Sequence, residues 1–522
     1  MDMAEQDLIQ SKLAHLEQIR KMGITPYPYK FERTHTAKQI HEQFSKLING
    51  EETKIQVRAC GRLMTIRSFG KLSFLDVHDQ TGKIQFQIKE NETKPQSNEL
   101  ATLLDAGDFV GAYGRVVRTR RGEITILVSE LQILGKSVLP LPEKWHGLSD
   151  VETRYRQRYL DLAINPEVRK VFETRSQIIS AMREYLEQQG FIEVEIPLLQ
   201  PVYGGANAKP FKTFSNALKQ DLFLSVSPEL YLKRLIVGGM EKVYTIGHNF
   251  RNEDIDKTHN PEFTSMESYA AYWDYEDVMR FTENAIAFIA QKVLGTTIIN
   301  YQGIEIDLKP PWKRLAMLDG LKEIAKIDVT TLTDKELEKL VKEHIPEYDG
   351  PKIRGLLIAE LFAALCEGTL VQPAFLIDYP KETTPLCKLH RNNPELIERF
   401  EGYINRWEIS NAYSELNDPA LQRKFLEKQA GEGRAGGTAE PVDEDFIKSI
   451  EYGMPPTGGL GIGIDRIVML LTNQATIKDV ILFPQMKNTG STTSKPAENK
   501  KLFPIRQKKQ IRKKKPKKTS KK

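Results

Sequence analysis

FRNEDIDKTHNPEFTSME, residues 250–267, sets acids and bases side by side between two stretches with strand rhythm. KVYTIG (242–247) leads in and FTSMESYAAY (263–272) leads out, so the span reads as a long hairpin whose loop, RNEDIDKTHNPE, is charged. Alternate residues of a strand point to one side, which groups Phe263, Ser265, Glu267, Tyr269 and Ala271. Two readings follow. The face is either a pocket wall combining an aromatic, a carboxylate and a phenol, or part of a surface hairpin with solvated charges.

Downstream, PPTGGLGIGIDRIVMLLTN (455–473) places Gly458, Gly459, Gly461 and Gly463 ahead of Arg466 and a nearly all-apolar helical run. Glycine lets other groups approach the backbone closely, and an arginine beside it suits a polyphosphate. Upstream, Val168, Phe172, Ile179, Met182 and Leu186 recur at helical spacing from Pro166 to Gln189, and Gly190 stands where a helix ends. FIEVEIPLL (191–199) then predicts a strand carrying Pro197, a residue suited to a sheet edge or a boundary between chains. Helical patterns recur over 276–400, among them FTENAIAFIAQKVL and RGLLIAELFAALCEGTL. Neither G-x-x-x-x-G-K-[ST] nor H-E-x-x-H occurs, which argues against P-loop phosphoryl transfer and zinc hydrolysis.

Residues 55–134 differ in texture: IQVRACGRLM, KLSFLDVHD, KIQFQIKE, DFVGAYGRVV and EITILVSELQIL are short strands separated by turn residues. Five strands in this span suit a small barrel of the OB type. Ile84, Phe86 and Ile88 alternate with Gln85 and Gln87, and Leu75 and Val77 alternate with Phe74 and Asp76, so Phe74 falls on the polar face. With Arg67 near in sequence, that face suits stacking and edge recognition of an unpaired base. The competing reading packs Phe74 under the N-terminal helix.

At 522 residues with 40% apolar and 28% charged composition, more than one domain is expected. LPLPEKWHGLSDVETRYRQRYLDL (139–162) reads as a linker into a basic amphipathic start, giving an N-terminal helix and barrel over 1–145, a linker over 146–165 and a second domain over 166–490. Cys60, Cys366 and Cys387 are far apart and lack metal spacing, and no long apolar run or apolar leader occurs. A cytoplasmic protein without a membrane span is the expectation. The net charge of +5 hides an asymmetry: residues 500–522 hold 13 Lys or Arg and no acid, and subtracting them leaves −8 for residues 1–499. The segment 491–522 is therefore expected to be a basic disordered tail, either contacting RNA or merely solubilising.

The motifs F-R-x-E with H-x-x-x-F (250–263) and G-x-G-x-G-x-D-R (459–466) resemble the second and third signatures of class II aminoacyl-tRNA synthetases, and 189–197 resembles the first. Over roughly 15–487 the phrases RKMGITPYPYKF, RYRQRYLDL, VYGGANAKPF, SPELYLKRLIVGG and NAYSELNDP are similar to the class II lysyl-tRNA synthetases. The resemblance implies an α+β chain: a five-stranded OB-fold barrel that binds the anticodon, then a catalytic domain on a mixed, mainly antiparallel sheet flanked by helices, with a helical insertion around 310–395. It implies activation of L-lysine with ATP to lysyl-adenylate, transfer to tRNA(Lys), Mg2+ as cofactor and a homodimer with Pro197 at its interface.

By the same resemblance, Arg251, Glu253 and Arg466 are catalytic; ATP meets Arg251, His259, Asn260, Phe263, Glu408 and Arg466; and magnesium is held by Glu401 and Glu408. Lysine meets Gly204, Gly205, Glu229, Arg251, Glu267, Tyr269, Asn411, Tyr413 and Glu415. The anticodon meets Arg67, Phe74 and Gln85. Two departures stand out: Asp254, where the family often has glycine, and Asn405-Arg406-Trp407 ahead of Glu408. The competing readings are an aspartyl- or asparaginyl-tRNA synthetase, a paralogue that lysylates elongation factor P, and a non-catalytic RNA-binding relative. The first two of these would want a cation where Glu267 and Glu415 stand, the third is disfavoured by the full barrel, and the last by intact Arg251, Glu253, His259, Glu408 and Arg466.

Overall fold

The computed structural model describes residues 3–142, 148, 150–432 and 442–487. The expected basic tail, 491–522, lies outside the described residues. The chain divides into two compact units, Met1–Val151 and Glu152–Lys522.

The first unit is a closed five-stranded barrel in the order Glu52–Phe69, Leu72–His78, Lys83–Lys89, Ile124–Gly135, Phe109–Arg118. The alternation read in the sequence decides its inside: Leu75, Val77, Ile84, Phe86 and Ile88 are buried in the barrel core, joined by Ile19 from the N-terminal helix Met3–Lys21. Phe74 lies on the opposite face, half-buried, next to Arg67 on one neighbouring strand and Gln87 on the other. The core under the N-terminal helix is filled without it.

The second unit is built on a sheet ordered Lys313–Ala316, Ala374–Pro380, Asn393–Ile404, Trp407–Ser414, Thr457–Gly463, Glu262–Ala271, Lys242–Phe250, Ile192–Glu193. Only the two outermost pairs along this order are parallel. The others are antiparallel. The helix Pro166–Gln188 buries Val168, Met182 and Leu186 as expected, while Phe172 and Ile179 are only half-buried and Ile178 takes the core position beside them. It packs along the helix Tyr275–Leu294, whose N-terminus is fixed by a reciprocal cap between Asp274 and Asp277.

Three expectations need correction. FIEVEIPLL is not one strand: pairing stops after Ile192–Glu193, the Val194 amide makes a last bond to the Tyr244 carbonyl, and Leu199–Gln200 pairs elsewhere, with donor-less Pro197 in the gap. The segment 146–165 is not a linker where it is described from Val151 onward, since Val151–Arg156 and Arg158–Ile164 are helical. Arg158 is buried against Asp161 at 2.7 Å and donates to the carbonyls of Lys478, Ile481 and Leu482, so this segment is part of the second unit's packing. The helical insertion is narrower than 310–395, because Lys313–Ala316 and Ala374–Pro380 form a parallel pair of the main sheet with Leu315, Phe375 and Leu376 buried. The inserted helices Asp334–His344 and Arg354–Leu365 lie between them.

Among the described residues, no helix is long and apolar enough to cross a membrane.

Candidate active site

In an antiparallel sheet, residues opposite one another share a face, so the register of four adjacent strands places a set of side chains in rows. One row runs Glu267, Gly461, Asn411, Glu401; the next runs Tyr269, Gly459, Tyr413, Arg399. Glycine in the middle strand leaves a bare floor between flanking side chains. The rows line a cavity of about 700 Å³, and the charged hairpin loop contributes Arg251, His259 and Asn260 to its lining. All the residues assigned above to catalysis, ATP, lysine and metal line this single cavity.

At the inner end stand three carboxylates. Glu267 accepts hydrogen bonds from the Ser227 hydroxyl at 3.2 and 3.3 Å. Burial, reinforced by the charge of Glu229, pushes the Glu267 carboxyl up to about 8. Glu229 accepts from the Tyr413 hydroxyl at 2.7 Å and from the Lys233 ammonium at 2.5 Å. Glu415 also pairs with Lys233, while its Oε1 is buried with no hydrogen-bond partner among the described residues. Gly205 has φ +86°, and a Cβ there would come within 3.0 Å of the Ser227 hydroxyl, so this wall requires glycine.

Cations gather toward the outer end. The Arg251 guanidinium lies 5.0 Å from the centre of the Phe263 ring, and its Nε is buried without a hydrogen-bond partner among the described residues. Arg466 donates to the Glu408 carbonyl and, through Nη2, to His259 Nε2 at 3.1 Å. That contact makes Nε2 the acceptor, so Nδ1 carries the proton and donates to Asp256 at 2.8 Å. Asp256 also accepts the amides of Thr258 and His259; burial works against its ionisation, but these bonds outweigh it and hold the carboxyl down at about 2. Glu253 uses Oε1 to accept the Lys209 amide at 3.1 Å, tying the hairpin loop to the segment that carries Gly204 and Gly205. Asn260 donates to the Glu262 carbonyl at 2.6 Å, which leaves its buried Oδ1 facing no partner among the described residues.

Glu401 and Glu408 sit on adjacent strands at the cavity wall. Glu401 accepts from Arg399 at 2.5 Å and from the Tyr403 hydroxyl at 2.8 Å. Burial, and then the neighbouring charge of Glu401, holds the Glu408 carboxyl above the ordinary range despite Arg466 at 3.6 Å. Arg466, Arg399 and Arg251 all favour the ionised form of Glu408, and burial together with Glu401 outweighs them. No group of three or more His, Cys, Asp or Glu that would hold a metal occurs among the described residues. The donor set therefore fits a hard cation that brings most of its own oxygen ligands, as magnesium carried by phosphates does.

Both departures from the family pattern find a place. Asn405 and Arg406 have φ of 52° and 66° and form the two-residue turn between Ile404 and Trp407, a conformation that asparagine tolerates. Asp254 is exposed at the rim of the cavity.

The family models match this arrangement: "tRNA synthetases class II (D, K and N)" covers residues 150–487, and an "OB-fold nucleic acid binding domain" covers 57–134. Relatives named lysine--tRNA ligase occur at similar length. That of Nostoc punctiforme is 49% identical over 500 residues, covering 94% of this chain and 89% of its own. The chain belongs to the lysine--tRNA ligase family. Carboxydothermus hydrogenoformans has a relative of the same name 50% identical over 485 residues (92% and 98% covered), and Methanoculleus marisnigri one 48% identical over 492 (94% and 96% covered). As a member of this family the chain is a class II aminoacyl-tRNA synthetase, a ligase with an OB-fold domain.

On the barrel, Arg67 and Gln85 converge on one acid that the sequence reading passed over. Asp76 Oδ1 accepts from Arg67 at 3.2 Å and from Gln85 at 3.5 Å, with Lys83 at 3.4 Å. Gln85 is buried and its carbonyl is held by Thr125 at 3.1 Å. In the catalytic unit, Ser227, Lys233, Asp256 and Arg399 were likewise missed. A sequence signal existed for Lys233, which lies four residues after Glu229 and so on the same helical face.

Proposed function

We propose that this cavity activates L-lysine with ATP and passes the lysyl group to tRNA(Lys). The observation that carries the reading is the trio Glu229, Glu267 and Glu415 at the closed end with Arg251 beyond them. Buried carboxylates suit a substrate with two ammonium groups, and a guanidinium whose Nε has no hydrogen-bond partner among the described residues suits its carboxylate.

Within this reading Glu267 and Glu415 take the ε-ammonium, Tyr269 and Tyr413 wall the stem, Asn411 adds a polar contact, and Glu229 with Gly204 and Gly205 takes the α-amino group. The lysine carboxylate attacks the α-phosphorus, the bond to the bridging oxygen breaks, and pyrophosphate leaves; the terminal ribose hydroxyl of the tRNA then displaces AMP. Arg251 holds the carboxylate against the α-phosphate, Phe263 stacks on adenine, and Arg466 with His259 and Asn260 holds the outer phosphates. Glu253 keeps the loop in place. These groups act by position and charge, as in-line transfer at phosphorus requires. Glu401 and Glu408 would hold Mg2+, which supplies charge neutralisation of the phosphates.

The barrel face of Phe74, Arg67 and Gln85 is proposed to read the anticodon. The exposed apolar residues Ile192 on the sheet's last strand, Leu198 and Leu199 next to Pro197, and Phe214 and Leu218 on the hairpin of 212–224 support a homodimer. A cytoplasmic setting goes with this function. Charging of a lysine tRNA transcript tests it: lysine should be esterified to that tRNA, and the double variant Arg251→Ala, Arg466→Ala should lose adenylate formation. Adenylate formation surviving in that variant would overturn the site assignment.

A further inference from the structure

Among the described residues, Lys233 is the cation seated between the carboxylates Glu229 and Glu415. It is fully buried, on the helix Glu229–Val237, and its ammonium touches Glu229 at 2.5 Å and Glu415 from the strand side, with the rings of Tyr413 and Phe446 at 5.6 and 5.9 Å. The groups facing this cluster are Glu229 and Lys233 from the helix, Glu267 and Tyr269 from one strand, Tyr413 from another, Glu415 and Cys387 across a bridge, Arg251 from the loop, and Arg399, its charge met by Glu401, from the strand beyond Tyr413.

In the fully ionised form that receives lysine, the three carboxylates, one internal ammonium and Arg251 sum to −1. Lysine brings two ammonium groups and one carboxylate, a net +1, and the sum becomes zero. Without Lys233 the same complex would be left at −1, and with aspartate in place of lysine it would be at −2. Unpaired charge is not tolerated in a buried space, so this sum bears on which amino acid enters.

We infer that Lys233 is a positioning residue and a determinant of amino-acid specificity, an internal counter-ion seated between Glu229 and Glu415 that matches the cavity to an amino acid of net charge +1. It acts through the two carboxylates and does not touch the reacting atoms. Burial works against its charge, and the two carboxylates outweigh burial, so the ammonium stays protonated. Its charge also lowers the proton affinity of both Glu267 and Glu415.

The inference rests on the lysine pocket proposed above. Its test is lysine-dependent exchange of pyrophosphate into ATP, followed from pH 6 to 9 in wild type, Lys233→Met, Lys233→Arg and Glu267→Gln. Lys233→Met should raise KM for lysine at least tenfold with KM for ATP within threefold of wild type, and should move the acid limb of kcat/KM for lysine upward by about a unit, because carboxyls deprived of a neighbouring cation hold protons more tightly. Lys233→Arg should restore most of the wild-type limb. A Lys233→Met enzyme with an unmoved limb, or one that loses lysine and ATP affinity alike, overturns the inference. If Lys233→Met does not fold, the double variant Lys233→Met, Glu229→Gln, which removes one cation and one anion together, is compared with Glu229→Gln alone. Values of kcat/KM for lysine within threefold of each other support action through Glu229, and a multiplied loss contradicts it. Glu267→Gln separates the two claims: if it leaves lysine kinetics unchanged, the pocket assignment itself is wrong, whereas an affected Glu267→Gln beside an unaffected Lys233→Met removes only the role of Lys233.

Discussion

A Cβ on Gly459 would run into the carboxylate of Glu415 and lie 2.6 Å from the ring of Tyr269. The glycine of the third signature motif is thus where the floor of the cavity makes room for a cavity-lining acid. Overpacking of this sort costs about 1–3 kcal/mol. Gly459→Ala should therefore raise KM for lysine by about tenfold to a hundredfold while KM for ATP stays near wild type. Steady-state pyrophosphate exchange with each substrate varied in turn checks this.

Lysine binding should depend on pH through Glu267. Its folded-state carboxyl titrates at about 8, raised by burial first and Glu229 second. A raised carboxyl stabilises the empty enzyme fully below the ordinary carboxyl range, and that contribution is lost as pH rises through about 8. Cationic lysine prefers the ionised form. So kcat/KM for lysine should fall about tenfold per pH unit below that point, and Glu267→Gln should flatten the slope at a much lower level. The thermal shift produced by saturating lysine should grow from pH 6 to pH 8.

Asp256 sets the tautomer of His259 and so the acceptor that faces Arg466. Asp256→Asn should raise KM for ATP about fivefold, the worth of roughly one hydrogen bond, with lysine affinity unchanged. Equal losses for both substrates would assign Asp256 to general loop folding.

The barrel can be tested separately. Removing a stacking aromatic costs about 1–3 kcal/mol per base. Phe74→Ala should weaken tRNA binding by about fivefold to a hundredfold, measured by filter binding at fixed salt, and leave tRNA-independent pyrophosphate exchange untouched. Asp76→Asn should also weaken binding, since it frees Arg67, Lys83 and Gln85 from their common anchor.

What was legible in the chain was whatever is written in local period. The two arms of the 242–271 hairpin, the face shared by Phe263, Ser265, Glu267 and Tyr269, and the barrel's alternation all follow from side-chain direction in a strand. The motif resemblance brought the remaining cavity residues together across more than 250 positions, from Gly204 to Arg466. Side chains whose meaning is a distant partner stayed hidden. Arg175 pairs with Asp465 at 2.5 Å and donates to Thr264 at 2.9 Å, bracing the strand of the second motif against the third motif, yet on its helix it looks like a surface charge. Lys233 looks the same until Glu415 is placed beside it. Arg158 in the supposed linker is hidden for the same reason, its carbonyl acceptors lying more than 300 residues away.

Amino-acid-dependent exchange of pyrophosphate into ATP, run with lysine, aspartate and asparagine in parallel, tests the carboxylate pocket most directly. Glu229, Glu267 and Glu415 predict exchange with lysine alone. Exchange with aspartate or asparagine, or with none of the three, would contradict it.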